Sequence, residues 1–453
     1  MPLHKSIIVA GSGPTGLGAA HRLNELRQDD WLLLEASNHA GGLAASFVDD
    51  KGFTWDIGGH VQFSHYEYFD RAMTDFLGAD GWLRHQRESW VWMRDRFIPY
   101  PLQNNIHRLP LDELNRCMKG LLDVSRSPAA NPANFGQWID TTFGSGLAEI
   151  FMRPYNFKVW AYPPEELSPQ WVGERVALPD FARALNNLIL DKDDLSWGPN
   201  TTFQFPKSGG TGAIWRACAQ RLPQDKLNFE TPISSIDLER HEITTKDGSG
   251  LHYDSLISTI PLRELISLTG QSHLGPLAQR GLLFSSSNIF GLGLRGKPPS
   301  ELATKCWIYF PENNCPFYRV TVFSNYSPNN VPDINRYWSL IAEVSESPHK
   351  PVNQEKLLDE VIQGALNTRL IQSRAEIVSN WNYRAHYGYP TPGLHRDEAL
   401  AHIIPFFENH KVYSRGRFGL WKYEVSNQDH SFMQGVEIID RLLHGRAEVT
   451  AKI

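Results

Sequence analysis

Consecutive apolar positions open the chain at Ile7-Ile8-Val9-Ala10, followed by a glycine-bearing turn and the small-residue run Gly16-Leu17-Gly18-Ala19-Ala20. A short continuous apolar run bounded by turn residues predicts a strand buried on both faces, with a closely packed helix after it. The next apolar run, Leu32-Leu33-Leu34, predicts a second strand and ends at Glu35. Helical spacing recurs from Tyr68 to Leu77 and from Pro110 to about Ala161, where Asn134 caps the turn before Phe135. Between these, Ser89 to Met93 and Arg96 to Tyr100 predict a hairpin around Asp95, ended by Pro99 and Pro101. Phe203 to Lys207 leads through Gly209-Gly210-Thr211-Gly212 into another helix, and Ile233 to Ile243 and Leu256 to Ile260 read as strands. Alternation around Trp307, Tyr318 and Trp338 predicts an antiparallel sheet. Near the end, Arg415 to Gly419 reads as a strand and glycine turn, leading through Asn427 to Ser431 into a helix from Met433 to Leu443.

The turn Gly11-Ser12-Gly13-Pro14-Thr15-Gly16 has the spacing of a dinucleotide site. Gly11 permits the tight turn, Gly13 lets the backbone approach a pyrophosphate, and Gly16 lets the helix lie close to the strand. Glu35, about 20 residues on, suits an adenosine ribose. Two further glycine doublets, Gly41-Gly42 before Leu43 and Gly58-Gly59 before His60, narrow the cofactor to FAD, whose ribityl chain and ring need close backbone approach. His60 is the best candidate for contact with the flavin ring. The polar start of the C-terminal helix would aim a second helix dipole at the flavin.

The fold class predicted is α/β: a Rossmann-like FAD-binding domain from 1–85, 204–265 and 410–453, an inserted helical domain at 106–190, and an antiparallel-sheet substrate domain from 86–105 and 280–400. The chain has 453 residues, with 44 Lys+Arg against 50 Asp+Glu. That balance implies no general attraction to nucleic acid or an anionic membrane. Cys117, Cys218, Cys306 and Cys315 form no CxxC pair and no metal-ligand spacing, so no metal is expected and a reducing, cytoplasmic setting fits. The first residues lack a signal peptide's build, and no stretch approaches the roughly 18 apolar residues of a membrane span.

Arg175 and Arg319 each stand among glycine, proline or aromatic residues, away from helical charge pairing. Two guanidinium forks converging on one pocket would suit a diphosphate. Tyr100, Tyr309, Tyr326, Tyr389 and Tyr423 could donate to phosphate oxygens or stack on a base, and equally could be packing tyrosines. The chain has no GxSxG elbow and no HExxH pair, which leaves the hard chemistry to the flavin.

Longer words carry a resemblance. Gly58-Gly59-His60-Val61 with Phe63-Ser64-His65-Tyr66, Pro99-Tyr100-Pro101 with Gln103-Asn104-Asn105, and the run from Phe151 to Trp160 are among them. So are Cys315 to Arg319, Phe323 to Pro328 and Asn427 to Phe432. In these the chain closely resembles the eukaryotic-type UDP-galactopyranose mutases of fungi and trypanosomatids, over nearly its whole length. The resemblance implies an isomerase with no net redox, in which N5 of reduced FAD attacks the anomeric carbon of UDP-galactopyranose, UDP leaves, and the sugar recloses as a furanose.

By the same likeness Arg175 and Arg319 grip the diphosphate, helped by Tyr309, Tyr326 and Tyr423, with Tyr389 and Asn427 also on the substrate. Tyr100 stacks on uracil beside Phe63, Gln103, Asn156 and Trp160, and Asn200 reaches the sugar. His60 sits against the flavin, while Arg417, Gln428 and Ser431 contact FAD with Gly41, Gly42, Leu43 and Gly59. NAD(P)H reduces the flavin, at positions matching Arg87, Ser89 and His65. Trp171-Val172-Gly173 and Trp197 to Asn200 would close as lids. Leu102 departs from the fungal pattern, which has an aromatic residue beside uracil. A homo-oligomer is compatible with the likeness. The alternatives are a net flavin oxidoreductase of the amine-oxidase or desaturase kind, a mutase for another UDP-sugar, and a flavoprotein that binds a nucleotide sugar without converting it.

Overall fold

The opening strand Leu3–Ala10 lies between Trp31–Leu34 and Gly250–Ser258 and runs parallel to both. Leu227–Asn228 extends the sheet on one side and Val412–Ser414 lies beside the end of Gly250–Ser258. The computed structural model describes residues 3–127, 131–195 and 201–451. The apolar run of the first strand divides between two layers, as alternation along a strand requires. Ile7 and Val9 pack with the helices Pro14–Glu25, Gly212–Gln220 and Gln428–His444. Ile8 and Ala10 pack with Leu262–Leu268, Gly275–Gly281 and Arg396–Asn409. Both faces are covered, which is why the run carries no polar side.

Two helices of the first layer touch backbone to backbone. A Cβ on Gly435 would stand 2.0 Å from the carbonyl oxygen of Thr15, and one on Gly18 would stand 2.3 Å from that of Phe432. Farther along, Arg22 meets Asp440 at 2.8 Å, so the two helices run in the same sense. Both therefore begin near the C-terminal end of the first strand, where a doubly wound sheet binds its ligand.

Three segments differ from expectation. Ile233 to Ile243 is an antiparallel hairpin rather than one strand, Ile233–Asp237 with Glu242–Thr245. The Asp237 carboxylate accepts from the backbone of Glu239 and Arg240 and folds the turn between them. The strand expected at Arg415 to Gly419 lies at Val412–Ser414, because Arg415 turns inward to Glu408 and Glu448, each at 2.6 Å. The last helix begins at Gln428, earlier than the apolar spacing indicated, and the Asn427 side chain does not cap it.

A second sheet runs in the order Ile377–Pro390, Phe284–Arg295, Tyr337–Glu346, Arg319–Val322, Trp307–Tyr309, Ser89–Met93 and Arg96–Pro99. Arg94 and Asp95 both take positive φ in the last hairpin, as a tight two-residue turn requires. Ile308, Val320 and Ala342 point into an apolar layer shared with the helix Leu357–Asn367. Their neighbours Tyr309, Arg319 and Glu343 face the other way, in register across three strands. The helices Leu111–Arg126, Phe135–Leu147, Arg153–Trp160 and Phe181–Leu190 form a further layer, packed on Val91, Met93 and Ile98 of the hairpin. Among the described residues no helix is long and apolar enough to cross a membrane.

Candidate active site

The glycine turn after the first strand is shaped by close approach. Gly11 has φ +103°, and a Cβ on Gly16 would lie 1.9 Å from the Gly11 carbonyl oxygen. Nothing stands within 4 Å of a Cβ built on Gly13, and no side chain caps the helix that follows or places an acid in its first turn. Its N–H groups and the positive end of its dipole are thus open to an anion. Gly41 donates to the Ser12 carbonyl at 2.9 Å, Gly42 lies against Gly13, and Leu43 packs at the edge of both sheets. Glu35 stands at the end of the second strand, accepting from the amides and hydroxyls of Ser12 and Ser37 at 2.7–2.8 Å. A ribose would exchange with the two serine hydroxyls. These residues fit the adenosine diphosphate portion of FAD.

On the second sheet, register places Arg319 opposite Glu343. The guanidinium donates to the carboxylate at 2.7 and 2.9 Å. Glu343 also accepts from the Tyr318 hydroxyl at 2.7 Å and the Gly59 amide at 3.1 Å. Burial alone would raise this carboxyl, but the Arg319 charge and these hydrogen bonds hold it below its ordinary range. Arg319 therefore keeps its position while one edge of its fork remains for a ligand.

Two further guanidinium groups approach without a carboxylate partner among the described residues. Arg175 donates to the Glu424 carbonyl at 2.6 Å and Asn427 Oδ1 at 3.3 Å, and lies 4.8 Å over the Tyr423 ring. Arg417 donates to the Gly388 carbonyl at 3.0 Å and the Ser426 hydroxyl at 2.9 Å, 4.9 Å over the Tyr389 ring. Burial lowers the Arg417 pKa despite the neighbouring Tyr389 and Tyr423, and the like charge of Arg175 adds to it. Trp160 and Trp171 close the cluster, with Trp160 4.8 Å from Tyr423 and 4.9 Å from Trp171. His60 faces Glu343, Arg319 and Arg417; burial pushes its imidazole down to about 4, and its Nδ1 has no partner. A neutral ring with an open buried nitrogen fits contact with a bound flavin.

Residues 14–398 match the model of the flavin-containing amine oxidoreductases. The chain belongs to that family. The crystal structure of reduced UDP-galactopyranose mutase is 48% identical, with all of this chain and 96% of the other covered at a TM-score of 0.95. A CLA-producing fatty acid isomerase from P. acnes, 13% identical, covers 97% and 99% at 0.65. Putrescine oxidase bound to putrescine, 14% identical, covers 98% and 100% at 0.62. The last two share the fold alone. The FAD-binding fold is thus common to chains with different substrates, and the cavity must distinguish this member of the family.

A second aromatic group of this flavoprotein adjoins the first. Tyr100 and Tyr309 lie 5.0 Å apart, Tyr155 is 5.3 Å from Tyr309, and the Trp307 indole donates to the Tyr309 hydroxyl at 2.6 Å. Arg87 lies 5.7 Å over Tyr100 and donates to the Ser89 hydroxyl at 3.2 Å. Gln103 is buried just beyond Tyr100 and donates to the Ala177 carbonyl, while Asn156 donates to that of Met152 at 2.7 Å. Trp160 contacts Tyr389 and Tyr423. Phe63 touches His65 at 5.7 Å. Tyr326 is buried against Phe203 and Phe205. Gln428 accepts from the Trp215 indole at 2.8 Å, and Ser431 lies in the first turn of the last helix. Asn200 and the segment Trp197 to Asn200 lie outside the described residues. Trp171 and Val172 are buried, with Gly173 exposed at φ +40°.

Sequence reading missed Glu343 and Tyr155. Glu343 had a signal, a single acid within the apolar run Leu340-Ile341-Ala342-Glu343-Val344. Such a residue requires a buried partner. Tyr155 had none, since it lies in an ordinary helix and its neighbours come from distant strands.

Proposed function

We propose that the protein interconverts UDP-galactopyranose and UDP-galactofuranose with no net redox, as a mutase of the eukaryotic type. The observation that carries this reading is the pair Arg175 and Arg417, two neighbouring guanidinium groups that have no carboxylate partner among the described residues. Charges so placed favour a ligand bearing negative charge, and they disfavour a cationic amine. The 48% likeness to UDP-galactopyranose mutase supports the same class.

Bound in reduced form, FAD supplies the electron-rich nucleophile for the anomeric carbon, and NAD(P)H is its reductant at Arg87, Ser89 and His65. Arg175 and Arg319 neutralise the diphosphate as its bond to the sugar breaks, when its negative charge grows, and Arg417, in contact with FAD, adds its charge beside them. Arg forks suit paired phosphate oxygens, and the Tyr309, Tyr326, Tyr389 and Tyr423 hydroxyls add donors without charge. Tyr100 takes the uracil with Phe63, Gln103, Asn156 and Trp160, and Asn200 and Asn427 reach the substrate. The Trp160 and Trp171 rings exclude water, which strengthens each charged contact. His60, neutral at ordinary pH, holds one hydrogen-bond partner at the flavin without opposing the arginines.

Chromatography of UDP-galactofuranose incubated with anaerobically reduced protein, beside the same protein oxidised, tests the proposal. Pyranose should appear only in the reduced sample, in excess over reductant. Stoichiometric consumption of reductant or dioxygen with substrate would assign a net oxidoreductase instead.

A further inference from the structure

We propose that His65, Asp429 and His430 form a binding site for one divalent transition-metal ion, with zinc the best chemical match. The two segments are 364 residues apart in sequence and meet where the loop after His60 reaches the start of the last helix. One nitrogen of each imidazole and one Asp429 oxygen all lie within 4.8 Å of one another. His65 Nδ1 is 2.8 Å from Asp429 Oδ2, and His430 Nδ1 is 4.0 Å from the same oxygen. The rings are nearly parallel, 17° apart in plane and 4.8 Å between centres, with these nitrogen edges turned towards the carboxylate.

The carboxylate supplies the second observation. Asp429 is 1% exposed; its Oδ2, the oxygen nearest both imidazoles, also accepts from the His65 amide at 3.2 Å, and its Oδ1 has no hydrogen-bond partner among the described residues. A buried carboxylate short of partners is costly, and a cation held on it offsets that cost through its charge. Ligand atoms about 2.0–2.2 Å from zinc stand a little over 3 Å from each other. The His65 contact need open only slightly, and the His430 contact close by a similar amount. Two imidazoles with one carboxylate suit zinc, whose sites of three protein ligands take a fourth from water or substrate. The outer shell also allows the exchange. Tyr66 now meets His430 Nδ1 at 2.8 Å and has Thr450 Oγ1, also at 2.8 Å, as an alternative partner.

A bound ion would tie the loop carrying His60 and Phe63 to the helix carrying Gln428 and Ser431. The site stands independently of the mutase reading and needs no turnover to be tested. Full-length flavin-loaded protein, treated with a chelator and dialysed against zinc, should retain one equivalent by elemental analysis. Asp429→Asn and His430→Ala should each weaken retention at least about tenfold, as lost metal contacts do. Cobalt in place of zinc should give visible bands beyond the flavin absorption, as nitrogen- and oxygen-ligated cobalt does. Failure of the wild-type protein to retain zinc, or retention unchanged in both variants, overturns the proposal. Where a variant loses its flavin or melts early, the wild-type cobalt spectrum decides, and the absence of ligand-field bands overturns the proposal equally.

Discussion

At the end of the first strand the turn from Gly11 to Gly16 leads into a helix start with no charged side chain in its first turn, whereas elsewhere Arg175 and Arg417 lie over the rings of Tyr423 and Tyr389 and Arg319 is paired with Glu343. Both regions suit phosphates, by opposite means. Backbone N–H groups are neutral, fixed by the helix and inexpensive to enclose, which suits a cofactor that stays. Guanidinium groups cost more to enclose and give more when charge develops, which suits a group that must leave. The geometry of the first region comes from glycines touching backbone, and that of the second from long side chains held by carbonyls and one carboxylate.

The largest effect should come from breaking the first region. A valine at Gly16 would put side-chain atoms into the Gly11 carbonyl, which is backbone and cannot turn aside. Gly16→Val should give protein that binds no flavin, read from its visible absorption. Flavin retained at wild-type stoichiometry would refute this account of the turn.

Next comes Arg319→Ala, which should keep the flavin yet lower turnover by roughly a hundredfold or more, as loss of one charge-stabilising donor does. The change also leaves Glu343 enclosed without its cation, which costs about 3–5 kcal/mol of stability. Adding Glu343→Gln should restore much of the melting temperature and none of the turnover. Recovery of both would make Arg319 a structural residue only.

The same contrast decides what could be read from the chain. The dinucleotide turn, Glu35 and the two buried faces of the first strand were legible because each requirement is local. A strand, a turn and a helix start fall within some twenty residues. The alternation around Trp307 and Trp338 foretold a sheet, but not that Tyr309, Arg319 and Glu343 would line up across it, because register depends on pairing and not on composition. Arg417 stood out locally only as part of a glycine turn, and its contact with FAD came from the resemblance alone. Its place beside Arg175 follows from the segment before the last helix, where Ser426 holds Arg417 and Glu424 and Asn427 hold Arg175. Arg415 misled the reading of a strand because its buried pairing with Glu408 and Glu448 has no local signature.

A smaller effect separates the regions by pH. His60 sits beside Glu343, Arg319 and Arg417, its folded pKa at about 4 against an ordinary value of 6.5. Between those values the unfolded chain binds more protons than the folded one, so this residue's contribution is full above pH 6.5 and falls as the pH drops towards 4. The contribution is roughly 2 kcal/mol after allowing for partial exposure. Asp56, pushed up to about 6 by burial, works in the opposite sense below that value. Wild-type unfolding alone would mix the two, so the comparison is with His60→Asn. The stability difference between the two proteins should shrink from pH 7 to pH 5 in denaturant titrations; a constant difference would mean that His60 is not held neutral by the fold.

The smallest change, Arg175→Lys, tests whether the second region works by charge or by shape. Lysine keeps the positive charge but loses the fork that now spans the Glu424 carbonyl and Asn427 Oδ1 and lies over Tyr423. A point charge on a flexible stem cannot meet two phosphate oxygens and stack on a ring at once. UDP affinity by calorimetry should fall about tenfold, the loss of one charged hydrogen bond, with flavin content unchanged. UDP should suppress protease cutting near Gly173 in the wild-type protein, and the variant should need correspondingly more UDP for the same suppression, because Arg175 would tie that segment to the ligand. Unchanged affinity would mean that net charge alone fills this end of the cavity, and the distinction between fixed neutral donors and shaped cations would hold only for Arg319 and Arg417.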